Sequence, residues 1–404
     1  MKKKLLLLIL ASCFLVNCSA LKRLKTVTQG EVKQDQYFEE IPFRYVKNQI
    51  ILDVYIDGKN YPFIFDTGND LTMIDYSIIE SINLKSNNVN GDISDSNGIS
   101  KESTYYTIAD LKIGNINFLN TGAYTSDLSY SYQFLGKDNY VGIIGSNLMR
   151  KAKWQIDYKN KILRITNNID AFHISPNAYH FNTKSGKHGD AKLKLKLNTF
   201  EDLFTFDTGS SGNISTKIAT LNTLNTLNTI PNISKTGVNS IGANGILTST
   251  DYSALLDLEL LDNLKIKDQL VTFSENGSNL IGNTFFEHFT VTLDWSNEVF
   301  YLDQNEPIKA NIISEYQLIF HPNYLTNKII IYGYKNDYPL ENPIEIGTQI
   351  LTINGVNVSG LNTEALYNYW TKKDLPDTFS IEVEDHENRR SITLTKKQLL
   401  PMQQ

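Results

Sequence analysis

Two segments of the chain repeat one design. The first runs from Ile51 to Ile56, turns through Asp57-Gly58-Lys59-Asn60, and continues as Phe63-Ile64-Phe65-Asp66-Thr67-Gly68. The second runs from Leu193 to Leu197, turns at Asn198-Thr199, and continues as Phe204-Thr205-Phe206-Asp207-Thr208-Gly209. Each reads as an alternating strand, a turn and a second strand that ends in Asp-Thr-Gly. The likeness extends downstream. Ile143-Ile144-Gly145 places its Gly 79 residues after the first Asp, and Leu280-Ile281-Gly282 places its Gly 75 residues after the second. Another Asp follows each Gly by 12 residues, at Asp157 and Asp294. A single Asp-Thr-Gly is an ordinary tripeptide, whereas two copies framed alike mark a duplicated unit.

The repeat divides the 404-residue chain into a first unit over 37–168, a second over 169–307 and a remainder over 308–404. Short strands broken by turn residues make both units β-rich, and 22 Tyr and 19 Phe lean the same way. The formal charge is −6 and becomes −9 without residues 1–17, which carry Lys2, Lys3 and Lys4 and no acid. That balance opposes binding to nucleic acid, whose phosphates need a basic face. Both cysteines precede residue 19. The two units therefore offer no disulfide, no thiol nucleophile and no Cys cluster for zinc.

Lys2-Lys3-Lys4 followed by Leu5 to Val16 reads as a charged and then an apolar segment of a secretory signal, too short to span a bilayer. Leu15-Val16-Asn17-Cys18 resembles a bacterial lipobox, with Asn17 where Gly, Ala or Ser is usual. Leu10-Ala11-Ser12-Cys13 fits that pattern at the price of a shorter apolar run. The resemblance implies a signal peptide over 1–17 and acylation at Cys18. Residues 18–36 would be a polar tether, and the protein would be anchored in the bacterial cell envelope.

The paired Asp-Thr-Gly loops, each tracked by apolar-apolar-Gly, resemble the retropepsin-like and pepsin-like aspartic proteases with both lobes in one polypeptide. The resemblance implies a mostly β, bilobal acid-protease fold with pseudo-twofold symmetry. It makes Asp66 and Asp207 the catalytic pair. Thr67 and Thr208 would lock the two loops together, and Gly68 and Gly209 would let backbone N–H groups approach the carboxylates. Gly145 and Gly282 would be support. Peptide hydrolysis without a metal or a covalent nucleophile needs a water held between a base and an acid. Two carboxylates sharing one proton supply both. No cofactor is implied, and no histidine pair has a metal-ligand spacing.

Two features at the loops depart from or extend the pattern. Asn69 stands where Ser or Ala is usual, while Ser210 is a common choice; the residue there can reach the outer carboxylate oxygen. Asp70 matches a carboxylate that retropepsins use to hold the substrate backbone. The family also places a hairpin flap between each Asp loop and the apolar-apolar-Gly segment. Asn90-Gly91 and Asn97-Gly98, followed by Tyr105-Tyr106, fit the first flap. Gly242-Ala243-Asn244-Gly245 fits the second, so Gly91, Gly98, Gly242 and Gly245 join Asp70 and Ser210 as substrate-binding candidates. Plain surface hairpins are the alternative reading, since Asn-Gly is a strong turn signal. The run Leu221-Asn222-Thr223, repeated through Thr229, reads as an expanded turn or short helix.

In the remainder, Ile346-Gly347-Thr348-Gln349-Ile350-Leu351-Thr352-Ile353-Asn354-Gly355 resembles the most recognisable strip of a PDZ domain. A helix over Thr363–Lys373 and closing strands at 379–383 and 391–394 complete that small α+β reading. The corresponding peptide-end strip, Gln317-Leu318-Ile319-Phe320, lacks the usual Gly. A packing module that orients the rest of the chain is therefore the competing reading. Together these features imply a monomeric, lipid-anchored aspartic endopeptidase acting on protein or peptide substrates. The alternative is a non-catalytic peptide-binding or envelope-organising lipoprotein that keeps the protease fold.

Overall fold

The computed structural model describes residues 19–95, 97–185, 189–242, 244–260, 264–385 and 388–400. Cys18 and Ala243 lie outside the described residues. The chain is mostly β. No described helix is long and apolar enough to cross a membrane.

The two copies of the repeat form the same pairings. Strands Gln49–Ile56 and Lys59–Phe65 make a hairpin, as do Ala191–Leu197 and Phe200–Phe206. The short strand Gly142–Ile144 runs parallel to Lys59–Phe65 and antiparallel to Thr72–Asp75. Leu280–Ile281 lies between Phe200–Phe206 and Ile214–Lys217 in the same way. Thr72–Asp75 runs parallel to Ile116–Ser126, and Ile214–Lys217 parallel to Leu264–Ser274. Each apolar-apolar-Gly segment is thus the strand beside the one that ends in Asp-Thr-Gly.

The later Asp of each copy has a local reason. Asp157 ends strand Lys153–Asp157 and accepts from the backbone and side chain of Asn160. Asp294 ends Phe289–Asp294 and accepts from the backbone and side chain of Asn297. Asp and Asn favour such turns because their short side chains mimic a backbone partner. These two strands also pair with each other, with Trp154 opposite Leu293 and Asp157 opposite Thr290. A six-stranded sheet drawing on both copies therefore joins the halves. Trp154, fully buried and donating to Met149 O at 2.7 Å, anchors one apolar core that includes Phe65, Phe206, Phe286 and Phe289.

The segment expected as a tether is structured where described. Residues 19–28 are helical, and Glu31–Val32 pairs with Ile116–Ser126. Thr26 is buried, and Asn87 Nδ2 donates to its hydroxyl at 2.8 Å. Val27 packs beside Tyr105 and Tyr124. The Leu-Asn-Thr run forms helix Ile218–Asn225, with Leu221 and Leu224 buried and Asn222 exposed. Its three-residue period brings apolar positions back to one helical face.

The C-terminal segment has its own apolar core around Ile331, Ile350, Leu366, Ile381 and Leu394. Asn354 and Gly355, both at positive φ, form the turn between Gln349–Ile353 and Val356–Asn357. Helix Thr363–Lys372 starts at Asn362, whose side chain accepts from Ala365 N. The segment is not a separate bead. Its strand Lys328–Lys335 continues the second copy's sheet by pairing with Asn232–Gly242. Gly237 stands opposite Gly333, and a Cβ on Gly237 would lie 2.2 Å from Tyr332 O. Only glycine permits so close an approach. The strand Leu318–Asn323, which contains most of the expected peptide-end strip, packs on helix Ser129–Leu135 of the first copy. There Tyr324 N donates to Gln133 O at 2.9 Å and Asn323 Nδ2 to Gln133 Oε1 at 3.1 Å.

Candidate active site

Each Asp-Thr-Gly loop leaves the end of a buried strand and is held by the neighbouring apolar-apolar-Gly strand. Asp66 N donates to Ile144 O and Asp207 N to Ile281 O, both at 3.0 Å. Asp66 Oδ1 accepts from Gly68 N at 2.8 Å and Asn69 N at 3.1 Å. Asp207 Oδ1 accepts from Gly209 N at 2.9 Å and Ser210 N at 3.1 Å. One oxygen of each carboxyl is thereby fixed by two amides.

The loops face one another. Thr67 and Thr208 are fully buried between them. Each threonine hydroxyl accepts from the other's backbone N–H at 3.0 Å. Thr67 Oγ1 donates to Phe206 O and Thr208 Oγ1 to Phe65 O, both at 2.7 Å. A Cβ built on Gly68 would lie 2.6 Å from Asp207 Cγ, and one on Gly209 would lie 2.3 Å from Asp66 Cγ. The absence of side chains there is what lets each carboxyl reach across to the opposite loop.

Asp66 and Asp207 are hydrogen-bonded to each other, and both are held above the ordinary carboxylate range. Burial is the main cause for each. The charge and hydrogen bond of Asp207 push Asp66 further up, while the backbone amides pull both down. Two close, desolvated carboxyls keep one proton between them, and that proton belongs to the pair.

The carboxyls open into a cavity of about 610 Å³. Ser210, Asn97 and Gly242 line it. Gly98 and Gly245 stand at the tips of two hairpins, Leu84–Ser94 with Ser100–Ile113 and Asn232–Gly242 with Gly245–Leu260, and do not line it. Asn90-Gly91 is not a turn. Gly91 lies inside the strand Leu84–Ser94, opposite Ser103, after a bulge between Ser86 and Asn90. Its α-carbon faces the guanidinium of Arg23 rather than the cavity.

The hairpin tips meet. Asn244 Nδ2 donates to Ile93 O and Ile99 O, both at 2.8 Å, and Asn244 N donates to Asp95 Oδ2 at 3.0 Å. Tyr130 OH donates to Gly242 O at 2.6 Å. Tyr105 is buried against Tyr124 and Leu71 and Tyr106 is half-buried; neither lines the cavity.

Asn69 lines the cavity, but its side chain does not take the outer carboxylate position. Asn69 Nδ2 donates to Leu71 O at 2.8 Å, and Asn69 Oδ1 accepts from Tyr124 OH at 3.3 Å. Asp70 lies off the cavity, where its charge acts on Arg150 and Tyr105. Gly145 and Gly282 sit under the loops. A Cβ on Gly145 would lie 2.7 Å from Asn69 O, and one on Gly282 2.4 Å from Gly212 O.

Two supporting residues escaped the sequence reading. Asn283 Nδ2 donates to Thr208 O at 2.6 Å and Asn48 O at 2.7 Å, and its Oδ1 accepts from Tyr158 OH at 2.6 Å. In the other copy, Asn147 Oδ1 accepts from Thr72 N at 2.8 Å, and Asn147 Nδ2 donates to Gly122 O at 2.9 Å. An Asn one or two positions after each support glycine was the available signal.

Among the described residues no group of His, Cys, Asp and Glu is arranged to hold a metal ion. No curated protein matches the chain. Residues 52–148, which carry Asp66-Thr67-Gly68 and Ile143-Ile144-Gly145, match the model of the aspartyl protease family.

Proposed function

We propose that the chain is an aspartic endopeptidase whose catalytic pair is Asp66 and Asp207, with Thr67, Gly68, Thr208 and Gly209 as the frame. The carrying observation is that two matching loops bring two desolvated carboxyls into hydrogen-bond contact at a cavity large enough for peptide. The ionised member takes a proton from a water lying between the pair. The protonated member donates to the scissile carbonyl as the water adds to its carbon, giving a gem-diol. A proton then moves to the leaving nitrogen, the C–N bond breaks, and the pair regains its single proton. The amides on Asp66 and Asp207 fix the carboxyls before substrate arrives, so little reorientation is needed.

The repeated pairings around Asp66 and Asp207, and the shared six-stranded sheet, support a bilobal acid-protease architecture over 37–307. The turn and helix of the C-terminal segment support a PDZ-like unit. Its expected peptide-end strand is packed on helix Ser129–Leu135, which favours an orienting role over capture of free peptide ends. Export, acylation of Cys18 and residence in the cell envelope belong to the same proposal and rest on the N-terminal sequence, as does a monomeric state on the fusion of both loops in one chain. The non-catalytic alternative drew on the attached PDZ-like unit and on Asn69. That side chain is turned toward Leu71 and Tyr124, so it gives no reason to doubt the pair.

The test is cleavage of a diverse peptide pool across acid to neutral pH, with wild type beside Asp66→Asn and Asp207→Asn. Acid-favoured cleavage by wild type, absent in both folded variants and blocked by a statine-type inhibitor, is expected. Undiminished cleavage in either variant would sink the assignment.

A further inference from the structure

The cavity does not end with the two repeated halves. Ile319, His321 and Tyr332 of the C-terminal segment line it together with Phe134 and Lys47 of the first half. His321 and Tyr332 both lie tilted against Phe134, with ring centroids 6.3 and 5.1 Å away. One wall of the cleft is therefore built by a segment outside the duplicated unit.

Lys47 is the charged group at that wall. It sits at positive φ in the turn between strands Arg44–Val46 and Gln49–Ile56. Its Nζ donates to Phe134 O at 2.8 Å and lies 2.5 Å from His321 Nε2. His321 Nδ1 lies 2.8 Å from Pro322 O and can only donate there, which leaves Nε2 as the acceptor of the lysine proton. Burial, with the charges of Lys47 and Lys373, lowers His321 to about 3, and the bond to Pro322 only partly offsets this. The imidazole is thus neutral through mildly acid and neutral pH. Both partners of Lys47 are uncharged.

No carboxylate among the described residues lies within ion-pair distance of Lys47 Nζ. Asp138, whose charge is felt there, is paired with Arg44 at 3.7 Å and accepts from Tyr367 OH. The acids that line the cavity outside the Asp66–Asp207 pair are engaged. Asp95 accepts from Asn97 N, Ile99 N and Asn244 N. Asp251 accepts from Ser249 and faces Lys235. Lys47 is reachable from solvent, and an ammonium has three N–H groups, of which two are used. Burial of its stem and amine lowers it only to about 8, with the charge of Asp138 opposing the fall, so it carries its charge where an acid protease works.

We propose that Lys47, held against His321 of the C-terminal segment, forms a subsite of the cleft that takes a carboxylate of the peptide substrate. The inference rests on the peptidase reading and adds a specificity to it. Lys47 shares the cavity lining with Asp66 and Asp207. Gln49 Nε2 donates to Gly209 O at 3.2 Å, and Lys47 lies two residues before Gln49. The turn that carries Lys47 is thus tied to the second Asp-Thr-Gly loop, beside the cleft that an extended peptide would occupy. An acidic side chain and a chain-terminal carboxylate share this chemistry.

The experiment uses fluorescent peptides built on the best-cleaved core from the pool. Asp or Asn is placed at each flanking position, and each peptide ends as a free acid or an amide. Wild type is compared with Lys47→Gln and Lys47→Arg by the ratio of kcat/KM for each charged and neutral pair. The same ratio is read as affinity on Asp207→Asn, where no turnover is needed. Wild type is expected to favour the charged peptide by about tenfold, the size of one charge-assisted hydrogen bond. The ratio should fall toward one in Lys47→Gln and recover in Lys47→Arg. A preference confined to the flanking Asp series identifies a side chain, and one confined to acid over amide identifies a chain end. A ratio near one in wild type, or one unchanged in Lys47→Gln, overturns the subsite. If wild type cleaves nothing, the peptidase reading falls, and the same charged and neutral pairs, built instead on the pool peptide that Asp207→Asn binds most tightly, still decide by their affinity ratio whether Lys47 takes a carboxylate.

Discussion

Thr67 and Thr208 hold each other. Each hydroxyl accepts the other's backbone N–H at 3.0 Å and donates into the opposite strand at 2.7 Å. Both side chains are fully buried, so none of these groups has water as a substitute. Replacing Thr208 by the isosteric Val leaves Thr67 N and Phe65 O unpaired. Each buried orphan costs about 1–3 kcal/mol, so a loss of roughly 2–6 kcal/mol is expected, measured as a fall in midpoint by denaturant unfolding. Thr208→Ser keeps both bonds and should recover most of the loss. An unchanged midpoint in Thr208→Val would show that the loops are aligned by other contacts.

The acidic pair sets opposite demands on stability and activity. Asp66 and Asp207 are both held above the ordinary carboxylate range in the folded chain. The folded state therefore binds more protons than the unfolded state from about pH 4, the usual Asp value, up to the raised values. Stability must fall as pH rises through that window. Asp207→Asn removes the strain of ionising the pair. It should melt higher than wild type at pH 7, with the gap narrowing toward pH 4, while abolishing hydrolysis. Thermal melts of both proteins across that range test the sign, and a variant less stable than wild type at pH 7 would contradict it.

Gly209 has a chemical reason to be glycine, because a Cβ there would stand 2.3 Å from Asp66 Cγ. Backbone holds the other side of the contact, so Gly209→Ala must displace the Asp66 carboxyl. Small misplacement of a reacting group costs on the order of 100-fold in rate, and kcat should fall by at least that much. Gly212→Ala is the comparison, since its Cβ would meet only Ser210 Oγ at 3.9 Å. Equal losses in the two variants would mean that the crowding is not what matters.

Much of this arrangement was legible because it is written locally. Alternating strands, an Asp twelve residues after each apolar-apolar-Gly, and Asp-Thr-Gly after an apolar strand are short-range patterns, and duplication made them readable. What escaped depends on partners distant in sequence. Asn69 turns away from the carboxyl because Tyr124, 55 residues on, offers its hydroxyl. Asn90-Gly91 has the composition of a turn, yet pairing with Ser100–Ile113 carries the strand past it. Residues 19–28 look polar and tether-like, but Val27 finds an apolar partner beside Tyr105. The sheet that runs from Asn232–Gly242 into Lys328–Lys335 depends on Gly237 meeting Gly333, and nothing in either strip alone announces the other.

Asn244 joins the two hairpin tips above the pair and is itself buried. Its side-chain amide spans Ile93 O and Ile99 O, the two strand ends of the opposite tip. The tips can separate only when those bonds open. Asn244→Ala deletes both and leaves the backbone bond to Asp95 in place. Two neutral hydrogen bonds contribute about 1–3 kcal/mol net, which shifts the opening equilibrium by roughly tenfold or more. Amides of 93–99 should exchange with solvent faster by that factor, while exchange in the Thr67 and Thr208 loops stays slow. Easier opening should also weaken closure on bound peptide, so KM should rise more than kcat falls. Unchanged exchange at 93–99 would mean that the tips are held by packing, and that Asn244 is not the latch.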